Sequence, residues 1–232
     1  MKYPFILRMI KSSIGRKQLQ AITGLLLAVF VIWHLAANLL LLKGEEWYNG
    51  LIDKVLYSFP YALYVIEIGL FTVFLIHIFI GLWLRYENWM NSRVRKYSIT
   101  KWHGGRTVSS STMLYTALVM FAYLIFHLLH FKFTDHSMGF YQLVTSAFRN
   151  TMYVGIYTFA FLALGLHMSH GIQSAFQTLG INHEKYNQFI RILSYIIAAI
   201  LFAGFTFVAA YFYLGLDIKP DIENNLIEAI TE

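Results

Sequence analysis

Five stretches of this 232-residue chain are long, almost continuously apolar and nearly free of Asp, Glu, Lys and Arg, and they leave few folds open. They run approximately from Leu19 to Leu42, Tyr61 to Leu84, Met113 to Phe131, Thr151 to Phe176 and Phe189 to Leu216. About 20 such residues cross a hydrocarbon core of about 30 Å. That core offers no partner to an exposed backbone, and the runs are continuous rather than alternating, so each is predicted to be a transmembrane helix. Composition agrees: 58% of residues are hydrophobic and 13% charged, against about a quarter charged in soluble domains. A disordered chain, a collagen-like chain and an ordinary water-soluble enzyme are excluded. Lys11, Arg16 and Lys17 precede the first run as they would a signal peptide. That run is too long, however, and no small-x-small cleavage site follows it, so it reads as a mature span.

The basic residues set the orientation. The segment before the first run and the second and fourth loops hold 5, 6 and 2 Lys+Arg, whereas the first loop, the third loop and the tail hold 2, 2 and 1. Positive charge collects on the cytoplasmic side, which places the N-terminus there. Five spans then carry the tail from Asp217 to Glu232, with five acids and one lysine, to the opposite face. The net charge of +6 is therefore read as topology, not as a nucleic-acid footprint. Loops of roughly 12 to 28 residues leave no space for a second domain. The expectation is one all-α integral membrane domain over residues 1–232, a five-helix bundle with amphipathic connectors such as Glu45 to Ser58, multi-pass in the cell's inner (cytoplasmic) membrane.

The chain has no cysteine, so it can form no disulfide, thiolate-ligated iron-sulfur cluster, Cys-ligated zinc site or c-type haem attachment. Any metal must be held by the nine histidines or by carboxylates. An imidazole inside a span is costly and usually functional. Four of them fall at two depths. His34 lies eight residues before the outer end of the first run and His127 about four before that of the third, so both sit in the outer half. His77 lies eight residues before Arg85, and His167 about nine before the inner end of the fourth run, so both sit in the inner half. Each layer lies about 10 Å from its surface, with about 10 Å between them.

Pairing by depth gives His34 with His127 and His77 with His167, two bis-histidine sites of the kind that hold two b haems. A haem with two axial imidazoles has no open iron position and passes single electrons. Gly24, Gly69, Gly81, Gly155, Gly165 and Gly171 lie inside the spans, where small residues let helices approach. Buried histidines that hydrogen-bond between helices without metal are the alternative. His130 and His170 each follow a candidate by three residues and share its face, so either member of each pair is a possible ligand. The repeated His-x-x-x-Gly of His77–Gly81 and His167–Gly171 favours His167, and the interfacial place of His130 beside Lys132 favours His127. His103, His136 and His183 read as loop residues.

At this point the chain resembles a known family, the five-helix cytochrome b membrane subunits of succinate dehydrogenase and quinol:fumarate reductase that carry two b haems. The segments that carry the resemblance lie between Ser12 and about Tyr186: SSIGRKQLQAITGLLL ahead of WHLAANL with His34, HIFIGLWLR with His77, SSSTMLYTALVMFAYLIFHLLHFKF with His127, and GLHMSHGIQSAFQTLGINHEKY with His167. A fifth span without an intramembrane histidine fits the family's non-ligating helix. The resemblance implies a complex with a flavoprotein carrying covalent FAD and with an iron-sulfur protein docked on the cytoplasmic side. Electrons would pass between those clusters, the inner haem, the outer haem and a membrane quinone, with menaquinone the family-level expectation. The chain itself would not catalyse succinate or fumarate chemistry. Arg93, Arg95, Lys96, Lys101 and Arg106 in the second loop offer a docking surface, although positive-inside topology alone also requires such a loop.

Quinone reduction takes protons as well as electrons, and one intramembrane carboxylate is available, Glu67. It lies ten residues, about 15 Å of helix, to the outer side of His77, at the depth of the outer pair. Proton exchange with quinone is its expected role, with an interhelical hydrogen bond as the alternative. The additional glutamate that some family members carry two residues before the fourth-span ligand is Gly165 here.

Three other classes share some of these features. A di-iron lipid enzyme, suggested by His127-x-x-His130 and His167-x-x-His170, needs its histidines at one membrane face, and these lie in opposite halves. A proton-relay transporter lacks a broken-helix or inverted-repeat signal. A di-haem cytochrome b subunit of a hydrogenase or formate dehydrogenase uses the same bis-histidine sites and is separated only by the motif resemblance.

Overall fold

The computed structural model describes residues 10–58, 60–94 and 108–217. Among them the chain is helical throughout: α1 Ser13–Leu39, a 3-10 turn Leu40–Lys43, α2 Glu45–Ser58, α3 Pro60–Val94, α4 Val108–Phe131, α5 Phe140–Phe148, α6 Thr151–Thr178 and α7 Glu184–Tyr213. Five of these, α1, α3, α4, α6 and α7, are long and apolar enough to cross a membrane.

Each span is longer than the apolar run that announced it, by about five residues where α4 and α7 begin and ten where α3 ends. The runs mark where charge stops, whereas the helices continue until a side chain satisfies their free N–H groups. Ser12 Oγ accepts from the Gly15 amide at 2.9 Å, Asn150 Oδ1 from Met152 and Tyr153, and His183 Nδ1 from Lys185. His183 is thus the N-cap of α7.

Helix α6 is the centre of the bundle. It packs on α7, α4 and α1, while α3 packs on α1. The tightest core lies between α6 and α7, where Tyr157, Leu201, Ala209 and Phe212 are all but inaccessible. Helices α3 and α4 hardly approach each other, although both flank the histidine-bearing centre. They are joined by an ion pair between Glu67 and Lys132.

Two features clamp the ends of the bundle. On the N-terminal side, Arg16 of α1 is buried and makes two short hydrogen bonds to Glu87 of α3, at 2.7 and 2.8 Å. Trp83 Nε1 donates to the same carboxylate at 2.9 Å, and its ring lies 5.1 Å from the Arg16 guanidinium carbon. On the opposite side, α2 and α5 form a cap. The amphipathic connector expected at Glu45 to Ser58 is α2, but α5 was not legible in the sequence, because nine residues between two spans read as loop. Asn49 of α2 holds its start by accepting from the Tyr141 amide at 3.1 Å, and Gln142 donates to Glu45 at 3.0 Å. Gly139 at that junction has φ +82, and a Cβ there would stand 3.2 Å from the Asn49 amide nitrogen. Burial in this cap holds the Tyr48 and Tyr141 phenols above their usual pKa of 10.

Candidate functional site: two histidine pairs

The structure brings together the histidines that depth had matched. His34 on α1 faces His127 on α4 with ring centroids 5.9 Å apart, and His77 on α3 faces His167 on α6 at 6.5 Å. The alternatives stand elsewhere. His130 lies against Phe131 and Tyr153 and approaches the Tyr157 hydroxyl at 3.3 Å, so it belongs to the aromatic core beside the outer pair. His170 is half-buried and, among the described residues, stacks on no other imidazole ring. His136 bonds the Phe131 carbonyl at 2.8 Å in the loop after α4. His103, Arg95, Lys96, Lys101 and Arg106 lie outside the described residues.

Two imidazoles trans on one metal, with bonds of about 2.0 Å and ring centroids about 1.2 Å behind the bonding nitrogens, have centroids about 6.4 Å apart. Both pairs lie within half an ångström of that figure. Plain aromatic contact covers 4.5–7 Å and admits the same distances. The inner pair also has threonine hydroxyls beside its Nδ1 atoms.

Thr23 Oγ1 donates to the Leu19 carbonyl at 2.8 Å, which spends its only proton, and lies 3.1 Å from His77 Nδ1. With its proton on Leu19 the hydroxyl accepts from His77 Nδ1, the tautomer that leaves Nε2 as the ring's acceptor, facing the Gln20 amide. Thr116 repeats the arrangement: it donates to the Met113 carbonyl at 3.0 Å and lies 3.3 Å from His167 Nδ1. Fixing the tautomer through the far nitrogen is how ligating histidines are prepared for a metal. Gln20 is the group that now meets His77 Nε2, with its amide nitrogen at 3.3 Å, and its carbonyl oxygen is buried without a partner. For His77 to ligate, this side chain has to turn aside. In the outer pair His127 Nδ1 lies 3.5 Å from the Tyr123 hydroxyl, a long contact, and His34 stacks on Phe30.

The two threonines had a signature that sequence reasoning missed. Thr23 stands eleven residues before His34, and Thr116 eleven before His127. Eleven residues are close to three turns, so each helix offers one threonine and one histidine on a single face, about 16 Å apart along the axis. Because the threonines mark the depth of the inner pair, the layers are separated by about 16 Å of helix, more than the about 10 Å inferred from the apolar runs.

Glycine serves close approach at three of the six positions singled out. A Cβ at Gly24 would stand 3.0 Å from His77 Cε1, one at Gly81 3.0 Å from the Gln20 amide, and one at Gly165 3.3 Å from Phe202 Cβ. Nothing lies within 4 Å of a Cβ at Gly69, Gly155 or Gly171. Gly204 is a fourth close approach the sequence did not suggest, against Leu35.

Glu67 reaches across to Lys132, which follows α4 and lies five residues beyond His127. The carboxylate is therefore paired with a cation near the outer histidine layer, and both side chains keep substantial exposure. No cluster of three or more His, Asp or Glu side chains exists among the described residues, which leaves no ligand set for a di-iron centre. No protein-family model, curated protein or solved structure matches the chain.

Proposed function

We propose that this chain is the membrane anchor and electron-transfer subunit of a succinate:quinone or quinol:fumarate oxidoreductase, holding two b haems and exchanging electrons with a membrane quinone. The observation that carries the reading is the pair of opposed imidazoles at each of two depths, with metal-compatible spacing in both. His34 and His127 would hold the outer haem, and His77 and His167 the inner one. Bound there, each group would supply a one-electron store with no open coordination position. Thr23 and Thr116, accepting from Nδ1, would keep Nε2 of the inner pair free of its proton.

Glu67 and Lys132 form the polar bridge at the seam between α3 and α4. A quinone entering from the lipid would find there a proton-exchanging carboxylate and a cationic donor for a carbonyl oxygen. Orientation with the N-terminus in the cytoplasm, a flavoprotein with FAD and an iron-sulfur protein on that side, and menaquinone as the quinone all follow from the charge asymmetry and the family resemblance. The same four histidines would serve a hydrogenase or formate dehydrogenase cytochrome b.

The discriminating experiment is to remove the chain from its host and to purify it with its partners. The reading expects loss of quinone-linked succinate or fumarate activity from the membrane. It also expects dye-linked activity to be retained in soluble flavoprotein and iron-sulfur subunits, which co-purify with the tagged chain. Co-purification with hydrogenase or formate dehydrogenase subunits instead would overturn the assignment in favour of the alternative.

A further inference from the structure

A groove of about 450 Å³ lies on the face of α6 turned away from the histidines, between α7 and the beginning of α4. Its floor is Gly165 and Ser169, both buried, and its walls include Val108, Leu162, Tyr195 and Phe202. Gly165 and Ser169 flank His167 by two residues on either side, which places the groove on the opposite side of α6 from the inner pair. Inside it the polarity is low. Ser169 Oγ donates to its own helix at the Leu166 carbonyl, 2.8 Å away, and no carboxylate or imidazole lines the space.

The charge is all at one end. Arg191, Tyr195, Ala198 or Ala199 and Phe202 recur at intervals of four, three to four and three to four residues, and so form one stripe along α7. Arg191 is exposed and, among the described residues, makes no ion pair. It stands one turn from Tyr195, on the side of the bundle that carries the chain's N-terminal segment. From Arg191 to Phe202 is eleven residues, about 16 Å, or roughly half a hydrocarbon core of about 30 Å.

We propose that this groove binds an anionic glycerophospholipid of the adjacent leaflet, with one acyl chain along Tyr195 to Phe202 and the phosphate at Arg191. An exposed cation one turn beyond the lining, without an ion pair among the described residues, and a one-leaflet apolar length match that amphiphile. A quinone ring would need a proton-exchanging group inside the groove, and the lining offers only the hydroxyls of Ser109, Ser169 and Tyr195, with no carboxylate or imidazole. This inference stands on residues outside the histidine pairs and holds whether or not the chain carries haem.

The test uses the intact membrane complex purified in mild detergent. Retained phospholipid is counted by native mass spectrometry, and half-saturation is measured by thermal stabilisation with added phosphatidylglycerol or phosphatidylcholine. One interfacial Arg makes phosphatidylglycerol about fivefold more effective. Arg191→Gln, an exposed change that leaves packing untouched, is expected to abolish that preference. Ala199→Trp, which fills the groove from its exposed wall, is expected to remove one retained phospholipid. Equal response to the two lipids, a preference that survives Arg191→Gln, or loss of a quinone rather than a phospholipid in Ala199→Trp would overturn the proposal.

Discussion

Replacing Thr23 by valine removes one hydroxyl and keeps the branched shape, so its effect is confined to what that oxygen does. The oxygen accepts from His77 Nδ1 at 3.1 Å while its own proton is held by the Leu19 carbonyl. In the valine variant the imidazole loses that oxygen and keeps the Gln20 backbone as its remaining partner on this side, or the ring moves its proton to Nε2, where it would block ligation. Losing one buried hydrogen bond costs about 0.5–1.5 kcal/mol, and loss of such an outer partner weakens metal binding by roughly 10–100-fold. The hydrogen bond also makes the imidazole a better electron donor, which favours the oxidised iron. Losing about 1 kcal/mol of that preference would raise a one-electron midpoint by about 40 mV. The assay is a redox titration with haem counting on Thr23→Val, Thr116→Val and Thr23→Ser. The inner component is expected to shift upward or be depleted in both valine variants, and serine is expected to restore it. An unchanged inner component, or equal shifts in both components, would refute the tautomer argument.

Further predictions follow from individual contacts. Gly24→Leu places a side chain where even a Cβ would stand 3.0 Å from His77 Cε1, and should cost the inner haem while sparing the outer one, read as the haem-to-protein ratio. Glu67→Gln keeps the shape but removes the charge that pairs with Lys132 and the exchangeable proton, and quinol-coupled turnover should fall at least about a hundredfold, the scale of one positioned acid–base group, with both haems retained. Unchanged turnover would remove Glu67 from the quinone chemistry. Gly139→Ala forces a Cβ into a left-handed φ of +82 and against Asn49, and should destabilise the α2–α5 cap by about 1–2 kcal/mol, measured as thermal unfolding in detergent.

Much of this architecture was legible because the bilayer simplifies the code. Long apolar runs have one folded outcome, and a histidine within one has a readable depth, so the matching of His34 with His127 and of His77 with His167 could be anticipated from counting alone. What could not be read were contacts that depend on rotation between helices. Gln20 facing His77, Arg16 facing Glu87 and Leu35 against Gly204 are set by packing angles for which the runs carry no periodic signal. Glu67 was visible as an acid at the outer depth, but its partner Lys132 lay beyond the end of an apolar run and was counted only as topology. Helix α5 escaped because its start is dictated from outside, by Asn49 of α2. Thr23 and Thr116 were hidden for a simpler reason: a threonine in a span usually bonds its own backbone, and these do that as well.

The central claim is two bis-histidine sites in one chain, and the most direct test is a redox-titrated absorption spectrum of the purified membrane complex with haem counted by pyridine haemochrome. The account predicts two b haems per copy of this chain, titrating as two components, with one component lost in His34→Ala or His127→Ala and the other in His77→Ala or His167→Ala. A complex without haem would contradict the account and return the four imidazoles to hydrogen bonding or proton transfer.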